Sequence, residues 1–140
     1  MSKNNGSSDF PRNEKFVDFA GRTRTFTVNL DELPWGYGLW AIEDAEGDNG
    51  YQFRAFSPVD PFHALGQLRT RIPKLLSVRH LVKQGGRWSL THDRLRGRVA
   101  YGGVVVDGTF LTFDEWAELI QTYEGFQFDL KIVDSSDELE

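Results

Sequence analysis

From Leu95 to Val133 the apolar and polar positions fall into three successive patterns. A strand-like run, LRGRVAYGGVVV, stops at Asp107-Gly108, a dipeptide suited to a tight hairpin turn. Thr112 then opens a helix, with Glu115 three residues on as its reciprocal capping partner. Phe113, Trp116, Leu119, Ile120 and Tyr123 recur at helical spacing and predict one buried stripe. Gly125 supplies a left-handed exit. Beyond it Phe126, Phe128, Leu130 and Ile132 alternate with Gln127, Asp129, Lys131 and Val133, the period of a final strand with one face buried under the helices.

Upstream, two short alternating runs, Phe16 to Ala20 and Arg24 to Leu30, predict a hairpin in which Phe26 and Val28 face one side and Thr25, Thr27 and Asn29 the other. Pro34 ends the second run, because it has no amide to donate to a ladder. Trp35 to Glu43 and Tyr51 to Phe56 predict a second hairpin. Its loop, Asp44 to Gly50, has the acids and glycines of a calcium loop but is too short for that ligand set, so it reads as a solvated turn. Asp60-Pro61 opens a helix whose apolar positions are Phe62, Leu65, Leu68, Ile72, Leu75 and Leu76; Pro73 is expected to kink it or restart it, with an end near Val78. Residues 79–93 read as a short strand and a loop. The pattern as a whole predicts a single α+β domain over residues 15–133, an antiparallel or mixed sheet with two helices packed on one face. A disordered lead-in (1–14) and an acidic disordered tail (134–140) flank it.

Composition narrows the functional classes. The chain has 140 residues, 39% of them hydrophobic, and eleven Phe and four Trp fit an aromatic-rich packed interior. With no cysteine, disulfides, thiolate zinc sites and a cysteine nucleophile are excluded. The start lacks the apolar core of a secretion signal and no apolar run reaches about 18 residues, so the cytoplasm is the expected compartment. The net charge of −5 is unevenly spread. Residues 69–98 carry nine Lys or Arg against Asp93 alone, whereas residues 99–140 carry ten acids against Lys131 alone. Such segregation marks a surface for an anionic partner or the two sides of internal ion pairs.

Three blocks of the chain resemble an uncharacterised bacterial α+β domain family: FHALGQLRTRIPKLLSV (Phe62 to Val78), LRGRV (Leu95 to Val99), and Asp107 to Glu138, within which Tyr123-Glu124-Gly125-Phe126 is the most specific element. The resemblance implies an α+β fold and no established activity. Some members carry an N-terminal zinc ribbon; its cysteines are absent here, so no zinc role transfers.

No spacing names a reaction. His63, His80 and His92 are scattered, and there is no nucleophile elbow, phosphate loop or dinucleotide fingerprint, so no catalytic residue, metal ligand or cofactor is expected. Glu124, an acid at the unfavourable end of the helix dipole, is the one position for a small-hydrolase reading, and pairing with an Arg is its plainer role. Arg94, Arg96 and Arg98 on an extended chain would project from one face about 6.5 Å apart, the pattern for nucleic-acid phosphates, with Trp88 to stack a base. Pairing with acids such as Asp129 across a sheet is the structural alternative. Trp35, Tyr37 and Trp40, spaced by Gly36 and Gly38, suit a protein interface. These readings point to a non-enzymatic protein-binding module, with Trp35, Tyr37, Trp40, Arg94, Arg96 and Arg98 as the binding residues, another protein as the partner and nucleic acid as the alternative.

Overall fold

The computed structural model describes residues 10–137. Nine strands and two helices form three small antiparallel sheets, so the α+β class holds while the expected single sheet is corrected to three. The first sheet has four strands in sequential order, β1 (Asn13–Val17), β2 (Thr23–Leu33), β3 (Gly36–Glu43) and β4 (Gln52–Ser57). Helix α1 (Pro61–Leu76) follows it. The hairpin β5 (Leu81–Gln84) and β6 (Arg87–Leu90) forms the second sheet, and β7 (Gly97–Ala100), β8 (Gly103–Val106) and β9 (Thr109–Thr112) form the third, before helix α2 (Phe113–Gln121).

Alternation along β2, β3 and β4 sorts the first sheet into two faces. Phe26, Val28, Leu39, Ala41 and Ala55 point to one side and are buried against Ala64, Leu65, Leu68, Ile72 and Leu76 of α1. The helix starts as its sequence dictates: the Asp60 side chain accepts the Phe62 amide at 2.9 Å and Pro61 occupies the first turn. It does not break at Pro73. That residue lies in the last turn, where one amide is missing, while buried Ile72 and Leu76 on either side hold the register.

A second core gathers Leu81, Val106, Leu111 and Leu119, with Trp88, Leu90, Leu95, Val104, Trp116 and Tyr123 packed around it. The segment expected as strand and loop is a complete hairpin, because Gly85 and Gly86, at φ 56° and 78°, make the two-residue turn that joins β5 to β6. Asp107 and Gly108, at φ 54° and 75°, turn β8 into β9 in the same way. Thr112 and Glu115 form the capping box at 3.1 and 2.9 Å.

The largest departure is at the C-terminal end. Residues 126–133 form no strand, and Phe126, Phe128, Leu130 and Ile132 are 75, 88, 68 and 73% exposed. Period-2 alternation states which side must be covered but not what covers it, and no strand among the described residues pairs with this segment. On α2 only Leu119 is fully buried; Trp116 and Tyr123 are half-buried, while Phe113 and Ile120 lie on an exposed side. Residues 1–9 and 138–140, which include part of the lead-in and of the tail expected to be loose, lie outside the described residues. β1 already begins at Asn13, next to Phe10, whose ring meets Phe62 edge-on at 5.1 Å.

Truncating Leu119 to Ala should therefore cost about 2–5 kcal/mol, and Phe113→Ala under about 1 kcal/mol, in urea unfolding midpoints. Similar losses for both would mean that the buried side of α2 includes Phe113.

Candidate functional site

Two arrangements carry most of the polar chemistry, one internal and one on a sheet face. The internal one is centred on Arg24 of β2, which faces the core side of the sheet. Its Nε donates to Asp18 Oδ2 at 2.8 Å and its Nη1 to both Glu43 oxygens at 2.9 and 3.0 Å. All three side chains are nearly out of water, at 13, 0 and 8% exposure for Arg24, Asp18 and Glu43. Asp18 also accepts the amides of Ala20 and Arg22, which closes the β1–β2 turn, and Glu43 accepts the Tyr51 amide. The guanidinium carbon lies 5.1 Å from the centre of the Tyr51 ring.

Burial by itself would raise the Asp18 carboxyl, but the Arg24 hydrogen bond, the two backbone amides and the Arg24 charge hold it below the usual carboxylate range. Burial would likewise lower Arg24, and its carboxylate partners reverse this and raise it. The Tyr51 hydroxyl is pushed up by burial first and by the charge of Asp107 next, so it stays protonated. Every acid here is engaged, so the cluster orders the chain and offers no free acid or base. Among the described residues no group of three or more His, Asp or Glu is placed to hold a metal ion.

A second carboxylate abuts this cluster. Asp107 accepts the amides of His80 and Leu81 and contacts His80 Nδ1 at 2.9 Å. Gly108 accepts the Gly50 amide at 2.7 Å. A Cβ on Gly108 would stand 2.9 Å from Arg24 Nη1 and 3.0 Å from the Tyr51 ring, so the turn fits only as glycine. The loop Asp44 to Gly50 is exposed from Asp44 to Asn49, as expected of a solvated turn, and it is also a connector: Asn49 Oδ1 accepts the Phe110 amide at 2.9 Å, and Arg98 donates to the Gly50 carbonyl at 3.0 Å.

The expected site residues are not brought together. Trp35 sits in the β2–β3 turn, 66% exposed. Tyr37 and Trp40 lie on opposite faces of β3, Tyr37 with Leu39 and Ala41 on the helix side, Trp40 on the other. There Trp40 is flanked by Asn29 and Arg54, and the Arg54 guanidinium lies 5.3 Å from its ring centre. Gly38 makes room: a Cβ would meet Arg54 Nη2 at 2.8 Å. Arg54 Nε makes no hydrogen bond among the described residues. The Arg row is not continuous. Arg94 and Arg96 precede β7, and Arg98 on β7 turns to loop carbonyls, where burial lowers its pKa despite the charge of Asp48. Arg98 meets the loop that follows β3 while Trp35 precedes it, about 25 Å apart at 3.3 Å per residue. The postulated Asp129 partner strand is absent. Glu124, at the other candidate position, is exposed and accepts Gln121 Nε2 at 2.8 Å.

Sequence reasoning missed Arg54 as the partner of Trp40 and missed Asp18, Arg24 and Glu43 altogether. An Arg inside an alternating apolar run, at the parity of Phe26 and Val28, was the available signal.

Residues 8–77, half of the chain, match the family model described as Domain of unknown function (DUF7686). The chain belongs to the DUF7686 family. Residues 78–137 match a second model, Domain of unknown function (DUF7713). No curated protein and no solved structure matches the chain. The two matches meet after Ser77, the C-cap of α1, so the first core lies in the DUF7686 part and the second in the DUF7713 part. Asp107-Gly108 and the Asp44 to Gly50 loop join them. Of the blocks that carry the resemblance, Phe62 to Val78 falls almost wholly in the first match and the other two fall in the second, so one expected family is two adjoining ones.

Two measurements check the internal cluster. Asp18 has a folded pKa below its unfolded value, so the stability it contributes is present above about pH 4 and is lost as pH falls through the folded value. The urea midpoint of the wild type should therefore drop below about pH 4, and Asp18→Asn should be less stable at pH 7 with a shallower acid decline. An unchanged acid slope would remove Asp18 from the account. At the turn, Gly108→Ala should cost clearly more than Gly102→Ala: the two have nearly the same φ, +75° and +77°, but a Cβ at Gly102 meets nothing within 4 Å. Gly102→Ala should show only the left-handed penalty of about 1–2 kcal/mol.

Proposed function

We propose that the chain is a non-enzymatic protein-binding module that uses the face of the four-stranded sheet opposite α1, centred on Trp40 and Arg54 with Trp35 at the rim. The observation that carries this reading is the stacked pair itself. The Arg54 guanidinium lies over the Trp40 ring and close to Gly38, with no hydrogen-bond partner for its Nε among the described residues, so a Trp and an Arg are in contact before any ligand arrives. Those two residue types dominate interface hot spots, and pre-ordering reduces the entropy lost on association.

The basic segment enters as a steering charge. Arg98 is half-buried against the Asp44 to Gly50 loop and Lys83 lies 5.1 Å from the centre of the Trp88 ring, which leaves the nucleic-acid reading with less support than the protein one. Glu124 sits beside Gln121 in the open, with nothing to favour the hydrolase reading. Among the described residues no helix is long and apolar enough to cross a membrane, and a cysteine-free composition suits a reducing cytoplasm; a bacterial cytoplasmic setting belongs to the same proposal.

The test compares partners co-purified by the wild type and by a Trp40→Ala/Arg54→Ala variant that keeps its urea midpoint. A partner purified from the first set should bind the wild type at least tenfold more tightly in calorimetry, since hot-spot losses reach about 2 kcal/mol. Equal affinity for the variant, or salt-dependent binding to an oligonucleotide in place of a protein, would overturn the reading.

A further inference from the structure

Four large apolar side chains in a row stand in water after Gly125. Phe126, Phe128, Leu130 and Ile132 are 68–88% exposed, and their neighbours Gln127, Asp129 and Lys131 are exposed too. Isolated apolar residues on a surface need no explanation, but a contiguous alternating row does. The segment leaves α2 through Gly125 at φ 90°, and Phe126 meets Tyr123 edge-on at 5.6 Å. The helix it leaves also has an unburied apolar line: Phe113, Ala117 and Ile120, spaced four and three residues apart, are all exposed beside the buried Leu119. The same match that covers α2 continues through residue 137, so the segment belongs to the domain and is no appendage to it.

We infer that residues 126–134 pair antiparallel with the same residues of a second copy of this chain, in a two-fold register centred on Leu130 that sets Phe126 opposite Asp134 at each end. The occupant follows from the sequence of the segment, which is complementary to itself. Around Leu130, Phe128 stands opposite Ile132 and Asp129 opposite Lys131, and the two-fold repeats both pairs. All eight apolar side chains then project to one face, with two opposite-charge pairs on the other.

The charges also fix the register. Moving the centre by one residue to Asp129 sets two carboxylates face to face, and moving it to Lys131 does the same with two ammonium groups. Asp129 and Lys131 form no ion pair among the described residues, so both charges are available for this role. A two-stranded ribbon alone is marginal in water. Here its apolar face has a surface to cover, the Phe113, Ala117 and Ile120 line of each α2. Four large side chains from each copy carry on the order of 1,000 Å² of apolar surface, the scale of a small specific interface. The pairing does not involve Trp40 or Arg54, so it stands apart from the binding face proposed above.

Sedimentation equilibrium of the full chain reads the association directly. The wild type should dimerise. Asp129→Lys and Lys131→Asp should each weaken the dimer about tenfold by setting like charges opposite one another, and combining the two exchanges should restore it. All these positions are exposed, so folding is unaffected and unchanged urea midpoints serve as the control. Because the chain has no cysteine, Leu130→Cys gives an independent check. The two introduced thiols would face each other across the axis, within disulfide reach of paired strands, and should cross-link under mild oxidant far faster than those of Phe126→Cys. A monomer at about 100 μM, which would mean the segment folds on its own chain or awaits a different protein, overturns the inference. So does a dimer that the double exchange fails to restore.

Discussion

A guanidinium taken out of water has to be matched donor by donor, and Arg24 is matched by two carboxylates that the chain delivers from different turns and strands. Asp18 comes from the β1–β2 turn and Glu43 from the end of β3, and Tyr51 lies over the cation from the start of β4. Removing one member would strand the charge of the others, which is far more damaging than never having placed them there. The ion pair also sets the boundary of the DUF7713 part, because Gly108 approaches Arg24 and Tyr51 too closely for any side chain. The two halves therefore meet where the electrostatics of the first is already complete. Hydrogen bonds that cross between them each use at least one backbone group: the Gly50 amide to the Gly108 carbonyl, the Phe110 amide to the Asn49 side chain, and the Arg98 side chain to the Gly50 carbonyl.

Three arginines on three strands show why charge counted along a sequence says little about charge on a surface. Arg24 is consumed by carboxylates, Arg98 by carbonyls, and Arg54 lies against Trp40 with one donor left over. The positive segment 69–98 looked like a single surface in the sequence. Its Arg69 instead reaches back to Glu14 on β1, Arg71 donates to the Arg54 carbonyl, and Arg98 points into a loop. Asp134 shows the converse. Its carboxyl is drawn down first by the Ser136 amide and hydroxyl, a local turn contact and not a partner distant in the sequence.

Local signals were legible and long-range partners were not. The capping box at Thr112, the Asp60-Pro61 start, the Asp107-Gly108 turn and the two sides of β2 all follow from contacts within a few residues. Gly85-Gly86 has the same chemistry as Asp107-Gly108, but the residues around it mix apolar and polar positions without a clean period, so no hairpin is legible there in the sequence. The division into three sheets depends on which strand finds which edge, and alternation does not contain that information. The candidate face was half visible: Trp40 is conspicuous, whereas its partner Arg54 reads as an ordinary charged residue on β4 until the register sets it opposite.

The segment after Gly125 shows how far a hydrophobic pattern reaches. Its alternation is as regular as that of any described strand, yet among the described residues of one copy no strand pairs with it. A pattern that specifies burial without supplying a cover is satisfied only by another chain, or by a rearrangement of this one. Rearrangement meets an obstacle in the fold: the edges of the nearby third sheet belong to β7 and β9, four-residue strands, and β9 runs directly into α2. An eight-residue strand added to either would overhang it by half its length, leaving apolar side chains exposed. Against an identical strand there is no such overhang, and the two charges on the face opposite the apolar row become the feature that selects the pairing.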